Sequence, residues 1–206
     1  MSNKKSSVIK NVLSIFIITL VAVLLLAVVN QVTRDPIAQA EIDARNEVYR
    51  AVFAEAKDFE EIMTAEEIAS AGEKAISEAG VPSCEINHVM AAVDGGNKLG
   101  YVIASTSKSG YGGDIQVAVG ITADGKITGF SVIKHSETAG LGSKSAEPEF
   151  ADQFAGKAAE TIEFVKGGGA TGQQIDAISG ATITTTAVTN ATNAAIAFYN
   201  SCLKGE

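Results

Sequence analysis

Ile-Gln-Val-Ala-Val-Gly-Ile at 115–121 and Ile-Thr-Gly-Phe-Ser-Val-Ile-Lys at 127–134 are two β-branched runs, separated by Ala123-Asp124-Gly125-Lys126. A short Asp-Gly connection between such runs is a hairpin signal, so these residues predict two neighbouring antiparallel strands. The same pattern extends upstream. Runs at 84–93 and 98–105 flank Asp94-Gly95-Gly96-Asn97, and the turn-forming stretch 107–113 leads into the first run. Consecutive strands joined by short turns predict an antiparallel meander rather than a parallel sheet with crossovers.

On both sides of the meander the period changes. Asp35-Pro36 predicts a helix start, with a partly apolar face through Ile37, Ala40, Ile42, Val48, Val52 and Phe53 to about residue 55. Residues 59–79 are rich in alanine and glutamate and predict helix in part, interrupted at Gly72. After the meander, 149–154 predicts a short helix and 161–165 a further strand. Residues 184–202 place Val188, Ala191, Ala195 and Phe198 on one helical face. Helices, a meander and helices again make an α+β domain, an antiparallel sheet flanked by helices. About 170 residues suffice for one domain with a real core.

Immediately before the last helix, Asp176-Ala177-Ile178-Ser179-Gly180-Ala181-Thr182 reads D-x-x-S-G-A-T. Ser179 and Thr182 are both N-cap residue types, and Gly180 permits a left-handed turn. A helix start presents unpaired N–H groups and a partial positive charge, which suits a phosphate. The dipole alone contributes only ~0.3–1 kcal/mol at an exposed site, too little to hold a large ligand without a tether. The bland alternative is an ordinary strand–turn–helix cap.

A second segment, His135-Ser136-Glu137-Thr138-Ala139-Gly140-Leu141-Gly142, and a third, Gly110-Tyr111-Gly112-Gly113-Asp114-Ile115, precede it in the chain. Together the three segments resemble the FMN-binding subunits of Rnf-type and sodium-pumping quinone reductase complexes. The sequence departs from the family pattern at Ala139, where proline is common. The resemblance implies FMN joined by a phosphoester to Thr182, installed by a separate Mg-dependent flavin transferase with FAD as donor. It implies further that Ser179, Gly180 and Ala181 orient the phosphate and that Asp176 assists attachment. Glu137, Thr138, Gly140, Leu141 and Gly142 would lie against the flavin ring. The expected role is electron carrier in a membrane complex coupling ferredoxin:NAD electron transfer to Na+ or H+ translocation. The corresponding quinone reductase component, a stand-alone anchored flavoprotein and a redox-inactive binding domain stay open as alternatives.

Other chemistries find little support. Gly140-Leu141-Gly142-Ser143-Lys144-Ser145 lacks the spacing of a phosphate loop, and Ser145 stands where a dinucleotide fingerprint needs its third glycine. Two histidines and two distant cysteines, without H-x-x-H or C-x-x-C, give no metal framework. His135 reads as a strand-end hydrogen-bonding residue. Cys84 and Cys202 form one pair with no framework spacing, which leaves a disulfide open.

Near the N-terminus, residues 12–29 carry no charge, 18 positions in all. At ~1.5 Å per residue they span about 27 Å, close to the hydrocarbon thickness of a bilayer. Such a run exceeds the ~7–15 residues of a signal-peptide core, which favours an uncleaved anchor. The expected division is therefore 1–33, a cytoplasmic N-terminus and anchor, and 34–206, an extracytoplasmic FMN-binding domain. Lys4, Lys5 and Lys10 precede the run, whereas Arg34-Asp35 follow without net charge, so the N-terminus is expected in the cytoplasm. All 24 acidic residues and 13 of the 16 basic ones follow the run, a net charge of −11. With no basic patch and no tryptophan, nucleic-acid binding has no footprint.

Overall fold

The computed structural model describes residues 2–205, without the side chains of residues 2–11, 35, 37–39, 41 and 42. Contacts divide the chain into two compact units, Met1–Ala44 and Arg45–Glu206.

The first unit is helical throughout its described residues and belongs to helix α1, Ser2–Val52. Within α1, Val12–Arg34 is long and apolar enough to cross a membrane, and its side chains are exposed. The helix expected to begin at Asp35-Pro36 has no separate start. Pro36 lies inside α1, where its missing N–H removes one backbone bond without ending the helix.

In the second unit a five-stranded antiparallel sheet runs in sequence order: β1 (Asp58–Glu61), β2 (Cys84–Asp94), β3 (Asn97–Ser107), β4 (Ile115–Thr122) and β5 (Ile127–Lys134). The meander expected from the β-branched runs is thus present. Asp94 pairs with Asn97 across the Gly95-Gly96 turn, and Ile121 pairs with Ile127 across the Asp124-Gly125 connection. In that second turn Lys126 N–H donates to Thr122 Oγ1 at 2.9 Å, while the Thr122 hydroxyl donates to Asp124.

The stretch 59–79, expected to be helical in part, begins in β1, which pairs with β2, and continues as helix; the break expected at Gly72 is corrected. Helix α2, Ala65–Glu78, then runs through Gly72 without interruption. Its start is a capping box, with Thr64 and Glu67 exchanging hydrogen bonds. A Cβ at Gly72 would stand 3.1 Å from Ile86 Cγ1, so glycine there serves the approach of α2 to β2 and not a break.

One face of the sheet packs Val89, Ile103, Val117 and Val119 against α4 (Thr182–Phe198) and α2 in the main core. The opposite face places Ala92, Val102 and Ala118 under Tyr49, Val52 and Phe53 of the α1 end. Small residues in the sheet there admit the helix end closely, and the Thr128 hydroxyl donates to the Val52 carbonyl at 2.6 Å.

After β5 come a 3₁₀ turn (Gly142–Ala146), a short helix α3 (Pro148–Ala151) and two parallel strands, β6 (Glu163–Val165) and β7 (Gln174–Asp176). The short helix expected at 149–154 and the strand expected at 161–165 fall on α3 and β6. Strand β7 has no counterpart in the sequence reading, because three residues among glycines and glutamines carry no alternating pattern. The chain ends in a π-helical turn, Tyr199–Leu203. Cys202 lies in this turn and Cys84 at the start of β2, and the two are not joined, so the disulfide left open by the sequence does not form.

Candidate functional site: a cleft at the start of α4

Helix α4 begins at Thr182, two residues before the apolar periodicity suggests. Neither Ser179 nor Thr182 is its N-cap. That position belongs to Ala181, with φ −130° and ψ 49°, and no side chain caps the helix. The turn before it is held from inside the helix instead. Thr185 Oγ1 accepts the Ile178 N–H at 3.1 Å and donates to the Ala181 carbonyl at 3.0 Å. Gly180 takes φ +79° in this turn, a left-handed conformation that glycine adopts at least cost.

A helix of 17 residues thus presents its first amides with no side-chain partner. They open on a cleft of about 510 Å³, within the ~300–1,000 Å³ typical of small-ligand sites. Gly180, Ala181, Thr182, Ile183 and Thr184 form one wall, Thr138, Leu141 and Gly142 the other, with Glu137 at the base and Tyr111 at the rim. Tyr111, Leu141 and Ile183 are 70%, 45% and 53% exposed, so the rim is apolar and open to a planar ligand.

The four threonines of this helix start differ sharply. Thr182 is exposed. Thr184 is 1% exposed and donates to Glu137 Oε2 at 2.6 Å. Thr185 is fully buried in the turn just described, and the Thr186 hydroxyl donates to the Thr182 carbonyl at 2.9 Å. A ligand in the cleft therefore meets the hydroxyl of Thr182 free of the internal bonds that hold the other three.

Seven of the residues singled out from the sequence come together here: Glu137, Thr138, Leu141, Gly142, Gly180, Ala181 and Thr182. Three do not line this cleft. Gly140 is exposed with φ +75°, its N–H donating to Ser143 Oγ at 2.9 Å. Asp176 and Ser179 line a neighbouring cleft of about 420 Å³ with Lys144 and Gln153. There Asp176 Oδ1 accepts the Ala170 N–H at 2.9 Å, and the Asp176 N–H donates to Gln153 Oε1 at 2.6 Å. Asp176 thus organises the end of the Gly167–Gly169 loop and of β7. His135 follows β5 directly, and its Nδ1 accepts the Glu137 N–H at 3.1 Å, the strand-end role expected of it.

Tyr111, Ile183 and Thr184 join the site without having been singled out by the sequence. An aromatic side chain between glycines in the Gly110–Gly113 stretch was the available signal for Tyr111. Nothing in the sequence separates Thr184 from its threonine neighbours. Among the described residues no group of three or more His, Cys, Asp or Glu side chains is placed to hold a metal.

The order of these parts along the chain is shared with known proteins. The FMN-binding domain family matches residues 110–197, which contain the whole cleft, and the RnfG N-terminal region matches residues 1–52. The G subunit of a Na(+)-translocating ferredoxin:NAD(+) oxidoreductase complex from Acetobacterium woodii is 38% identical over 93% of this chain and 91% of its own length. The chain belongs to the family of Rnf G subunits. Another member, the G subunit of an ion-translocating oxidoreductase complex from Methanosarcina acetivorans, is 33% identical over 97% of this chain and 98% of its own length. A crystal structure of the C subunit of Na(+)-translocating NADH-quinone reductase from Parabacteroides distasonis superposes with a TM-score of 0.58, covering 82% of this chain and 96% of that one. At 20% identity that likeness concerns the fold alone.

This Rnf G subunit fits FMN on two grounds. Uncapped helical amides suit the phosphate, and an open apolar rim with Gly142 and Gly180 in its walls suits the ring system.

Proposed function

We propose that this Rnf G subunit is a one-cofactor electron carrier, with FMN joined by a phosphoester to the Oγ1 of Thr182. The observation that carries the reading is the exposed Thr182 hydroxyl at the uncapped start of α4, inside the cleft. Attachment uses FAD: the threonine oxygen forms a bond to the FMN phosphorus, the bond to AMP breaks, and AMP leaves while the hydroxyl proton passes to a base. A separate flavin transferase supplies that step. When bound, the flavin supplies reversible one- or two-electron chemistry, and the protein supplies position and electrostatics.

The chain's own residues have defined parts in this scheme. The amides of the first turn of α4 bind the phosphate. Leu141 and Ile183 flank the ring, and Glu137 and Thr184 set the geometry of the wall between them. Asp176 and Ser179, in the neighbouring cleft, serve the transferase or the turn rather than the ring. The domain stands on the extracytoplasmic side, as the lysines before the apolar run favour. Its partners are the other members of a membrane complex coupling ferredoxin:NAD electron transfer to Na+ or H+ movement, as the names of the relatives suggest.

The test is in-gel flavin fluorescence after denaturing electrophoresis, with and without a co-expressed flavin transferase, accompanied by intact mass. A transferase-dependent band, heavier by FMN minus water and absent from Thr182→Ala, is expected. No band under either condition would overturn the covalent carrier.

A further inference from the structure

Glu137 is a buried acid in an open cleft, and its surroundings explain why. The residue is 9% exposed, and both carboxylate oxygens are engaged. Oε1 accepts the Gly112 N–H at 2.9 Å, and Oε2 accepts the Thr184 hydroxyl at 2.6 Å. The hole that holds them is made of glycines. A Cβ at Gly142 would lie 2.3 Å from Oε2 and 2.6 Å from Thr184 Oγ1, and one at Gly110 would lie 2.9 Å from Oε1.

One carboxylate thus joins three separate pieces of chain: the stretch carrying Tyr111, the loop carrying Leu141, and the helix start carrying Thr182. We propose that Glu137 is a positioning residue, which fixes the helix turn bearing the flavin against the opposite wall of the cleft through Thr184 and the Gly112 amide. This rests on the covalent-carrier reading for what the geometry serves, though not for the geometry itself.

Electron transfer gains from a site that does not rearrange when the cofactor changes charge, since pre-set dipoles cost no reorganisation. The clamp supplies that rigidity where the core does not. Helix α4 is held along its length by eleven buried residues, Thr184 among them, whereas Tyr111 and Leu141 are exposed. The Gly112 amide beside Tyr111 is held by Glu137, and the Leu141 loop, closed on itself by the Leu141 N–H to the Thr138 carbonyl at 3.2 Å, is tied to α4 through Glu137 and Thr184. Loss of those bonds loosens the cleft before it unfolds the domain.

The experiment uses the full chain in detergent, co-expressed with a flavin transferase, as wild type, Thr184→Val, Thr184→Ser and Glu137→Gln. The first readout is amide hydrogen exchange in peptides covering 110–113 and 137–142, which does not require flavin. Thr184→Val should raise exchange in both segments by about tenfold or more, as expected for losing a hydrogen bond to a buried charged group. Thr184→Ser should restore wild-type protection, and Glu137→Gln, which cannot accept both bonds as the carboxylate does, should raise exchange in at least one segment. The second readout is flavin fluorescence anisotropy, expected to fall in Thr184→Val and recover in Thr184→Ser. Unchanged exchange in Thr184→Val and Glu137→Gln would overturn the clamp, as would a rise spread evenly over all peptides. A wild type without flavin would overturn the carrier reading, and the exchange data would still decide the clamp.

Discussion

Thr182 and Thr184 stand two residues apart on α4 and meet opposite surroundings: Thr182 is exposed in the cleft, and Thr184 is buried on the Glu137 carboxylate. Successive helical residues are turned ~100° from each other, so a two-residue step reverses the face presented. Of the four threonines within five positions, Thr182 is the exposed one whose hydroxyl is not spent inside the protein; Thr186, one turn on and on the same side, donates to the Thr182 carbonyl.

Thr182→Ala should therefore remove the covalent flavin and leave stability almost untouched. Thr182 caps nothing, and substitutions at exposed sites without such a role stay within about 0.5 kcal/mol. Thr184→Ala should keep the flavin mass at residue 182. Peptide mass mapping and urea denaturation check both, and a flavin mass on residue 184 in the wild type would refute the assignment.

Thr185→Val should cost stability without removing the attachment atom. Its hydroxyl satisfies the Ile178 N–H, and an unsatisfied buried donor costs about 1–3 kcal/mol. Flavin yield should fall less than in Thr182→Ala, because the turn at 178–181 is loosened rather than deprived of its acceptor oxygen. Denaturation midpoints and band intensity would separate the two effects.

How much of this is readable in the sequence follows from how local each signal is. Strands β2 to β5 are visible because β-branched runs and Gly-containing turns are properties of adjacent residues. Strand β1 is hidden in an acidic, alanine-rich stretch, since Asp58–Glu61 acquires its conformation by pairing with β2. Gly72 resembles a break because the reason for it, the side chain of Ile86, lies fourteen residues away. In the site, the motifs place Thr182, Gly180 and the 137–142 loop together. They do not show that Ala181 occupies the cap position, that Asp176 turns toward Ala170, or that Glu137 spends both oxygens on the protein. Those are matters of which way a side chain points, settled only by packing.

Two glycines of the cleft should respond differently to alanine. Gly180→Ala puts a Cβ 3.4 Å from Leu141 Cδ2, an ordinary contact, so its cost is the left-handed backbone, ~1–2 kcal/mol. Gly142→Ala places its Cβ 2.3 Å from Glu137 Oε2 and must displace the carboxylate. Overpacking of this kind costs about 1–3 kcal/mol, and here it also breaks the bond to Thr184. Gly142→Ala should thus show the greater exchange at 110–113, whereas Gly180→Ala should leave that segment protected.

His88 gives the fold a pH dependence of defined sign. It lies on β2, where Arg45 Nη1 approaches its Nε2 at 3.2 Å, so the ring accepts in its neutral form. Burial lowers its pKa below the usual histidine value, the Arg45 charge lowers it further, and Glu61 on β1 opposes both. The neighbouring Tyr49 hydroxyl, raised to about 12 by burial, stays neutral throughout. Because the unfolded chain binds the proton more readily, the stabilisation is fully present above the unfolded pKa near 6.5. It is lost as pH falls from there toward the lower folded value. Melting temperature should accordingly drop as pH falls below about 6.5 in the wild type. His88→Gln should flatten that part of the profile, and an equal slope in both proteins would assign the dependence to other groups.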